Sequence, residues 1–170
     1  MRYAEKLTFQ RRHRLAVSAW KNTAAKIRDD DYSVGEIQQY GLALLLSRQY
    51  EKSIAHLTGL AEQRHCGQTI ACHRGTLGLA YWFSGDRESA VKHWRLGLSS
   101  NSSGYRGLEI PLLLLYASAR DSSLVSYQEV IELVNERRNH VASTGDLFSI
   151  SRLVVGEITY DECVRSFDGL

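Results

Sequence analysis

The feature that most constrains this chain is an internal repeat with an offset of 37 residues. Segment 41–47, Gly-Leu-Ala-Leu-Leu-Leu-Ser, aligns with segment 78–84, Gly-Leu-Ala-Tyr-Trp-Phe-Ser, and the Gly, Leu, Ala and Ser positions coincide. The same offset places His56 on His93. Repeats of this length are typical of stacked supersecondary units, each of which buries its apolar face against the next unit.

Each unit combines an apolar segment, a short polar turn and an amphipathic segment. The apolar segments at 41–46 and 78–83, and a weaker third copy at 112–117, are apolar on nearly every side, which predicts helices packed between neighbours. The amphipathic segments carry apolar residues at helical spacing, with charged residues opposite them. These apolar residues are Ile54, Leu57 and Leu60; Val91, Trp94 and Leu98; and Val130, Ile131 and Val134. The pattern predicts helical hairpins.

The expected helix boundaries carry signals of their own. Segments 33–36, 126–129 and 159–162 begin with Ser or Thr and end with Glu, which is the capping-box pattern. Asp86 stands where it would cap the helix that contains Trp94. Helices are predicted over 3–28, 34–47, 50–64, 69–83, 87–98, 108–119, 124–139, 146–156 and 160–167.

Together these elements predict one all-α domain that spans residues 1–170. Capping elements are expected at both ends, because a short stack of repeats otherwise exposes its end faces. The expected parts are a basic N-terminal capping helix (1–28), three hairpins (34–64, 69–98 and 108–139) and a C-terminal helical pair (146–167).

Residues 70–98 resemble the tetratricopeptide repeat in sequence and spacing. Small residues at Gly78 and Ala90 let two helices approach closely, while Tyr81 and Trp94 fill the wider gaps beside them. The matching positions are Leu77, Gly78, Tyr81, Gly85, Ala90, Trp94 and Gly97. The resemblance is weaker over 34–64 and loose beyond 108. It implies stacked antiparallel hairpins, and the 37-residue spacing implies an irregular α-solenoid.

The resemblance also implies a binding groove lined by the first helix of each hairpin. Trp82 is the expected anchor, because aromatic residues dominate interface energetics. The alternative is that the N-terminal helix or the C-terminal pair covers the groove. The expected groove residues are Gln38, Leu42, Leu45, Leu79, Trp82 and Phe83.

Catalytic motifs and cofactor fingerprints are absent from the sequence, so we expect a protein that is not an enzyme and takes no cofactor. Two Cys-His pairs, His65-Cys66 and Cys72-His73, match no common zinc spacing, and no metal is expected. The chain has three cysteines and no apolar run near the roughly 20 residues that span a membrane. A reduced, cytoplasmic location is expected.

Charge is unevenly distributed along the chain. Residues 1–28 contain eight Lys or Arg and one acid, whereas the remaining residues contain thirteen basic and eighteen acidic side chains. Arg11, Arg12 and Arg14 are therefore candidates for electrostatic contact with phosphates or an acidic protein. The alternative is a capping helix whose charged side faces water. A sequence pI near 8.5 makes a nucleic-acid partner the less favoured of these.

The expected function is binding of one protein partner without catalysis. Small helical proteins with degenerate repeats are similar to bacterial toxin-neutralising immunity proteins, so an immunity or inhibitor protein is the first hypothesis. A secretion chaperone or adaptor is the second. A nucleic-acid-associated regulator that acts through its N-terminal helix is the third, and its binding would weaken steeply with salt.

Overall fold

The computed structural model describes residues 12–24, 34–61, 67–99, 108–138, 146–159 and 162–163. These residues contain eight α-helices and no strand, so the predicted all-α class is confirmed. The helices are α1 (His13–Ala24), α2 (Val34–Leu46), α3 (Tyr50–Ala61), α4 (Gly67–Ser84), α5 (Arg87–Leu98), α6 (Glu109–Arg120), α7 (Tyr127–Arg138) and α8 (Asp146–Val154).

The helix bounds agree with the sequence pattern to within a few residues. Segment 151–155 is rich in β-branched residues, yet α8 runs through Val154 and is helical as predicted. The predicted helix at 160–167 falls on described residues only at 162–163, which are helical. Residues 3–11 and 25–28 of the predicted first helix lie outside the described residues.

Each helix packs against the next one along the chain, from α1 to α8. In addition, α2 packs against α4, and α4 packs against α6, across the helix that separates them in sequence. The first helices of the three hairpins therefore lie side by side. The most extensive contact in the described chain joins α4 and α5.

The pairing of α4 and α5 depends on a close approach at Gly78. A Cβ atom at this position would lie 2.5 Å from Cδ1 and 2.8 Å from Cε2 of Trp94. The Trp94 ring is fully buried, and its Nε1 donates a hydrogen bond to the carbonyl oxygen of Gly75 at 3.1 Å. Because the ring is fully buried and is tied to α4 by this hydrogen bond, it has little room to move aside for a side chain at Gly78.

The same arrangement occurs one repeat earlier, between α2 and α3. A Cβ atom at Gly41 would lie 2.5 Å from Cδ2 and 2.7 Å from Cγ of Leu57, which is fully buried. Ser53 Oγ donates to the carbonyl oxygen of Gly41 at 2.8 Å. Since Gly41 and Leu57 lie 37 residues before Gly78 and Trp94, the repeat in the sequence corresponds to a repeated helix contact.

The predicted helix caps are present wherever the structure describes them. Asp86 Oδ1 accepts from the backbone N–H of Ser89 at 3.0 Å. Thr159 Oγ1 accepts from the N–H of Glu162 at 3.3 Å, and Glu162 Oε2 accepts from the N–H of Thr159 at 2.8 Å, which completes a reciprocal capping box. Ser126 Oγ accepts from the N–H of Glu129 at 3.4 Å. The box predicted at 33–36 includes Ser33, which lies outside the described residues.

We expect Gly78→Ala to lower the free energy of unfolding by about 1–3 kcal/mol, because the new methyl group overlaps the immobile Trp94 ring. Gly59→Ala is the matched control, since no atom lies within 4 Å of a Cβ at that helical position. This control is expected to gain about 0.5–1 kcal/mol from helix propensity. Urea denaturation of both variants measures the difference, and equal effects would contradict the close approach.

Asp86→Ala is expected to cost about 1 kcal/mol of stability near neutral pH through loss of the cap. Hydrogen bonds from Ser89 lower the pKa of Asp86 below its ordinary value. The stabilisation is therefore present above the unfolded pKa of about 3.9 and is lost as the pH falls through the lower folded pKa. The stability gap between wild type and variant should close in acid, as measured by urea denaturation from pH 7 downwards. Asp86→Asn, an uncharged cap, should show a smaller gap at neutral pH.

Candidate binding site

The turn that follows α2 contains a residue in an unusual backbone conformation. Arg48 has a φ of 62°, which places it in the left-handed region. Its N–H donates to the carbonyl oxygen of Leu45 at 2.9 Å, and the N–H of Gln49 donates to that of Leu44 at 2.9 Å. This pair of hydrogen bonds is a Schellman cap, a position that glycine normally occupies. A residue with a side chain loses about 1 kcal/mol there.

Glycine occupies the other described turns of this kind. Gly156 has a φ of 77° and makes the corresponding hydrogen bond to Leu153 at 3.1 Å after α8. Gly85 has a φ of 101° and lies 37 residues after Arg48, at the equivalent position of the next repeat. The turn itself therefore favours glycine, and an arginine at position 48 points to a use for its side chain.

Arg48 lines a cleft of about 470 Å³ between the N-terminal part of α1 and the C-terminal end of α2. Three guanidinium groups line this cleft, and none of its described lining residues is acidic. We call it the basic cleft. Its lining residues are Arg12, His13, Arg14, Leu15, Leu46, Ser47 and Arg48.

The arginines of the basic cleft differ from the other arginines whose side chains the structure describes. Every described arginine outside the cleft has a partner within the chain. The pairs are Arg74 with His93 Nδ1, Arg87 with Asp121, Arg95 with Glu129, Arg120 with the ring of Tyr116, Arg137 with the Leu98 carbonyl oxygen, and Arg152 with Glu157. Arg12, Arg14 and Arg48 are exposed and form no salt bridge with another described residue. The described arginines without a described partner thus lie together at the basic cleft.

An apolar surface adjoins the basic cleft. Leu15 and Leu46, which line the cleft, are 53% and 42% exposed. Phe83 is 53% exposed, and its ring stacks on that of Tyr50 with the centroids 6.2 Å apart. Leu46 and Phe83 occupy equivalent repeat positions at the C-terminal ends of the adjacent helices α2 and α4. We call Leu15, Leu46, Tyr50 and Phe83 the apolar strip.

A second cleft, of about 600 Å³, lies between α5 and the turn that joins α6 to α7. Its lining includes Glu88 beside Lys92 and Arg95, and Arg95 is already paired with Glu129. Its charges are therefore mixed and partly neutralised within the chain. This cleft presents charges of both signs, whereas the arginines of the basic cleft have no acidic neighbour among its described lining residues.

The groove residues predicted from the sequence differ in how far their side chains are exposed to solvent. Leu45 is buried, whereas Leu42 and Leu79 are half-buried. Gln38 is half-buried, and its Nε2 donates to Thr76 Oγ1 at 3.5 Å. Among the six predicted groove residues, Phe83 is the one that is largely exposed. Partner binding by this set stays a prediction, and Phe83 is its most accessible member.

Trp82 is part of the core. Its side chain is 8% exposed, and its ring centroid lies 5.7 Å from that of Trp94 and 5.7 Å from that of Tyr116. The Arg87 guanidinium lies 5.2 Å from the Trp82 ring. The Trp82 ring is therefore covered by residues of α5 and α6, and its role as the anchor for a partner stays a prediction.

The predicted electrostatic residues lie together where they are described. Arg12 and Arg14 both line the basic cleft, and Arg11 lies outside the described residues. Sequence reasoning missed Arg48. A readable signal was available, since the 37-residue offset aligns Arg48 with the turn residue Gly85. An arginine at a glycine position is a sequence anomaly in itself.

Two further predictions from the sequence are that the chain holds no metal and has no membrane-spanning segment. His65 and Cys66 lie outside the described residues, and His73 is fully buried in α4. The described residues contain no group of three or more His, Cys, Asp or Glu placed to hold a metal ion. No described helix is both long and apolar enough to cross a bilayer. The cytoplasmic location stays a prediction.

The repeated histidines have packing roles. His56 makes an edge contact with the ring of Tyr40, with centroids 4.9 Å apart, and His93 stacks on Tyr81 at 5.1 Å. Burial lowers the pKa of His93, and the neighbouring Arg74 lowers it further. A neutral imidazole can then accept the hydrogen bond from Arg74.

Comparison of the chain with family models, with curated proteins and with solved structures finds no match.

We expect Trp82→Ala and Phe83→Ala to differ sharply in stability although the residues are neighbours. Trp82→Ala removes a buried ring and should lower the free energy of unfolding by about 3–5 kcal/mol. Phe83→Ala truncates an exposed ring and should change it by no more than about 0.5 kcal/mol. Guanidinium denaturation compares the two, and a large loss with Phe83→Ala would place that ring in the core instead of on the apolar strip.

Proposed function

We propose that this chain is a non-catalytic helical-repeat scaffold that binds a protein partner through the apolar strip. The observation that carries the proposal is the exposure of Leu46 and Phe83 at equivalent positions of two adjacent repeats. A repeated exposed apolar residue forms a line across stacked helices, and such a line is suited to contact with an extended or helical segment.

The helix contacts support a stacked arrangement similar to that of tetratricopeptide repeats. The first helices α2, α4 and α6 contact one another in order, and each packs against its own second helix. The small-residue contacts at Gly41 and Gly78 set the spacing within two successive hairpins. In an irregular solenoid of this form, the ends of the first helices lie on one side of the stack, where the apolar strip is found.

The composition of the strip favours a protein partner. Tyr50 and Phe83 present a pair of stacked rings, and the arginines of the basic cleft lie beside Leu15 and Leu46. Aromatic residues and arginine are enriched in protein interfaces relative to other surface. Rigid aromatic rings lose little conformational entropy on binding, so a small patch of them contributes a large part of the affinity.

Within this class, an inhibitor or immunity protein that neutralises a bacterial toxin is the specific role we favour. A secretion chaperone or adaptor is the alternative. The two roles differ in what the partner does when it is alone. A toxin arrests growth unless its inhibitor is present, whereas a secreted cargo does no harm in the producing cell.

We expect a photo-crosslinking amino acid at Phe83, in the full chain expressed in its organism of origin, to form one dominant protein adduct. The same amino acid at Glu132, an exposed position on α7, is the control and should give no such adduct. Mass spectrometry identifies the partner. Growth arrest by the partner alone, relieved by co-expression of this chain, would support the inhibitor role.

The contrary result is equally clear. Adducts of equal yield at Phe83 and Glu132, or none at Phe83, would show that the apolar strip does not bind a protein.

A further inference from the structure

We infer that the basic cleft binds an acidic segment of the partner protein, in which carboxylates stand next to a large apolar side chain. This inference rests on the proposed function and names the chemistry that one part of the same surface recognises. It is carried by the convergence of Arg12, Arg14 and Arg48 on a cleft whose walls include Leu15 and Leu46.

The three guanidinium groups of the basic cleft have no described partner within the chain. Other described arginines are held by a carboxylate, a carbonyl oxygen, an imidazole or an aromatic ring of the same chain. Arg12 and Arg14 come from the start of α1 and Arg48 from the turn after α2, and none of the described lining residues of the cleft is a carboxylate. Like charges so placed repel one another, and an anion that enters the cleft relieves this repulsion.

The backbone at Arg48 is in a conformation that glycine normally adopts. Its left-handed conformation is the one that Gly85 adopts at the equivalent position of the next repeat. Strained conformations of this kind cluster at binding sites, where the side chain is needed at that place. The turn directs the chain from α2 into α3, and within it Arg48 lines the same cleft as Arg12 and Arg14.

The surroundings of the arginines favour a carboxylate over a phosphate as the bound anion. A guanidinium fork pairs with either a carboxylate or a phosphate, so charge alone does not decide between them. Nucleic acids are bound by extended basic tracks with aromatic rings on which bases stack. Here three arginines line one cleft of about 470 Å³, and its described lining also includes Leu15 and Leu46. A short peptide segment with acidic and apolar side chains matches both features.

The test uses the full-length protein and three fluorescent probes of equal net charge, followed by anisotropy near neutral pH. The probes are a short peptide rich in glutamate and leucine, the same peptide with serine in place of leucine, and a single-stranded oligodeoxythymidine. We expect the glutamate–leucine peptide to bind most tightly. We expect Arg12→Gln with Arg14→Gln to weaken it roughly tenfold, as two exposed ion pairs are lost. Lys21→Gln with Lys92→Gln removes the same two charges from exposed positions outside the basic cleft and should have no effect.

The Arg48→Gly variant distinguishes a loss of binding from a loss of stability. Removing the arginine relieves the left-handed backbone, so the melting temperature should rise by roughly 2–4 °C while the peptide binds about two- to fivefold more weakly. A more stable variant that binds less well cannot be explained by unfolding. Unchanged peptide affinity in Arg48→Gly would overturn the inference.

Results with the other probes and with the Phe83 adduct also test whether the basic cleft binds an acidic segment. Tighter binding of the oligodeoxythymidine would assign the cleft to phosphates and overturn the inference, as would equal affinity for the leucine and serine peptides. A Phe83 adduct that forms undiminished in the Arg12→Gln, Arg14→Gln variant would overturn the inference and leave the proposed function standing. Loss of that adduct in the variant, with folding intact, would support it. No Phe83 adduct in the wild-type chain would overturn the proposed function itself.

Discussion

The contact between Gly78 and the indole ring of Trp94 sets the position of the two helices around which the rest of the structure is arranged. Trp94 is fully buried and is held by its hydrogen bond to Gly75. Trp82 packs on Trp94, and Tyr116 packs on Trp82, so the same contact also positions α6. The absence of a side chain at one residue therefore determines the spacing of three helices.

The candidate binding site lies on a smaller copy of this arrangement. Gly41 and Leu57 bring α2 against α3, and the turn between these helices presents Arg48. Because α1 also packs on α2, Arg14 in its first turn and Arg12 just before it line one cleft with Arg48. A tightly packed hairpin thus provides a rigid support for an exposed, charged surface. Sites on such supports bind with little loss of conformational entropy.

The repeat and its helices were accessible to sequence reasoning because helical periodicity, caps and small residues act locally. Asp86 caps α5 through a residue three positions away, and such spacing is visible in the sequence. Local patterns could not show which of Trp82 and Phe83 is buried and which is exposed. Successive residues on a helix point about 100° apart, and both are large and aromatic. Trp94 and Tyr116, the latter from the weakest copy of the repeat, both pack against Trp82, and these contacts bury it.

The sequence by itself determined the helical class, the order of the helices and the positions at which they approach closely. It also held the anomaly at Arg48, an arginine where the next repeat has a glycine. Only the tertiary structure decided which of the described arginines have no partner among the described residues. Coulomb interactions depend on distance in space, and packing of α1 on α2 is what brings Arg12 and Arg14 to Arg48. The same packing leaves them beside two exposed leucines, a combination that no count of charges along the chain contains.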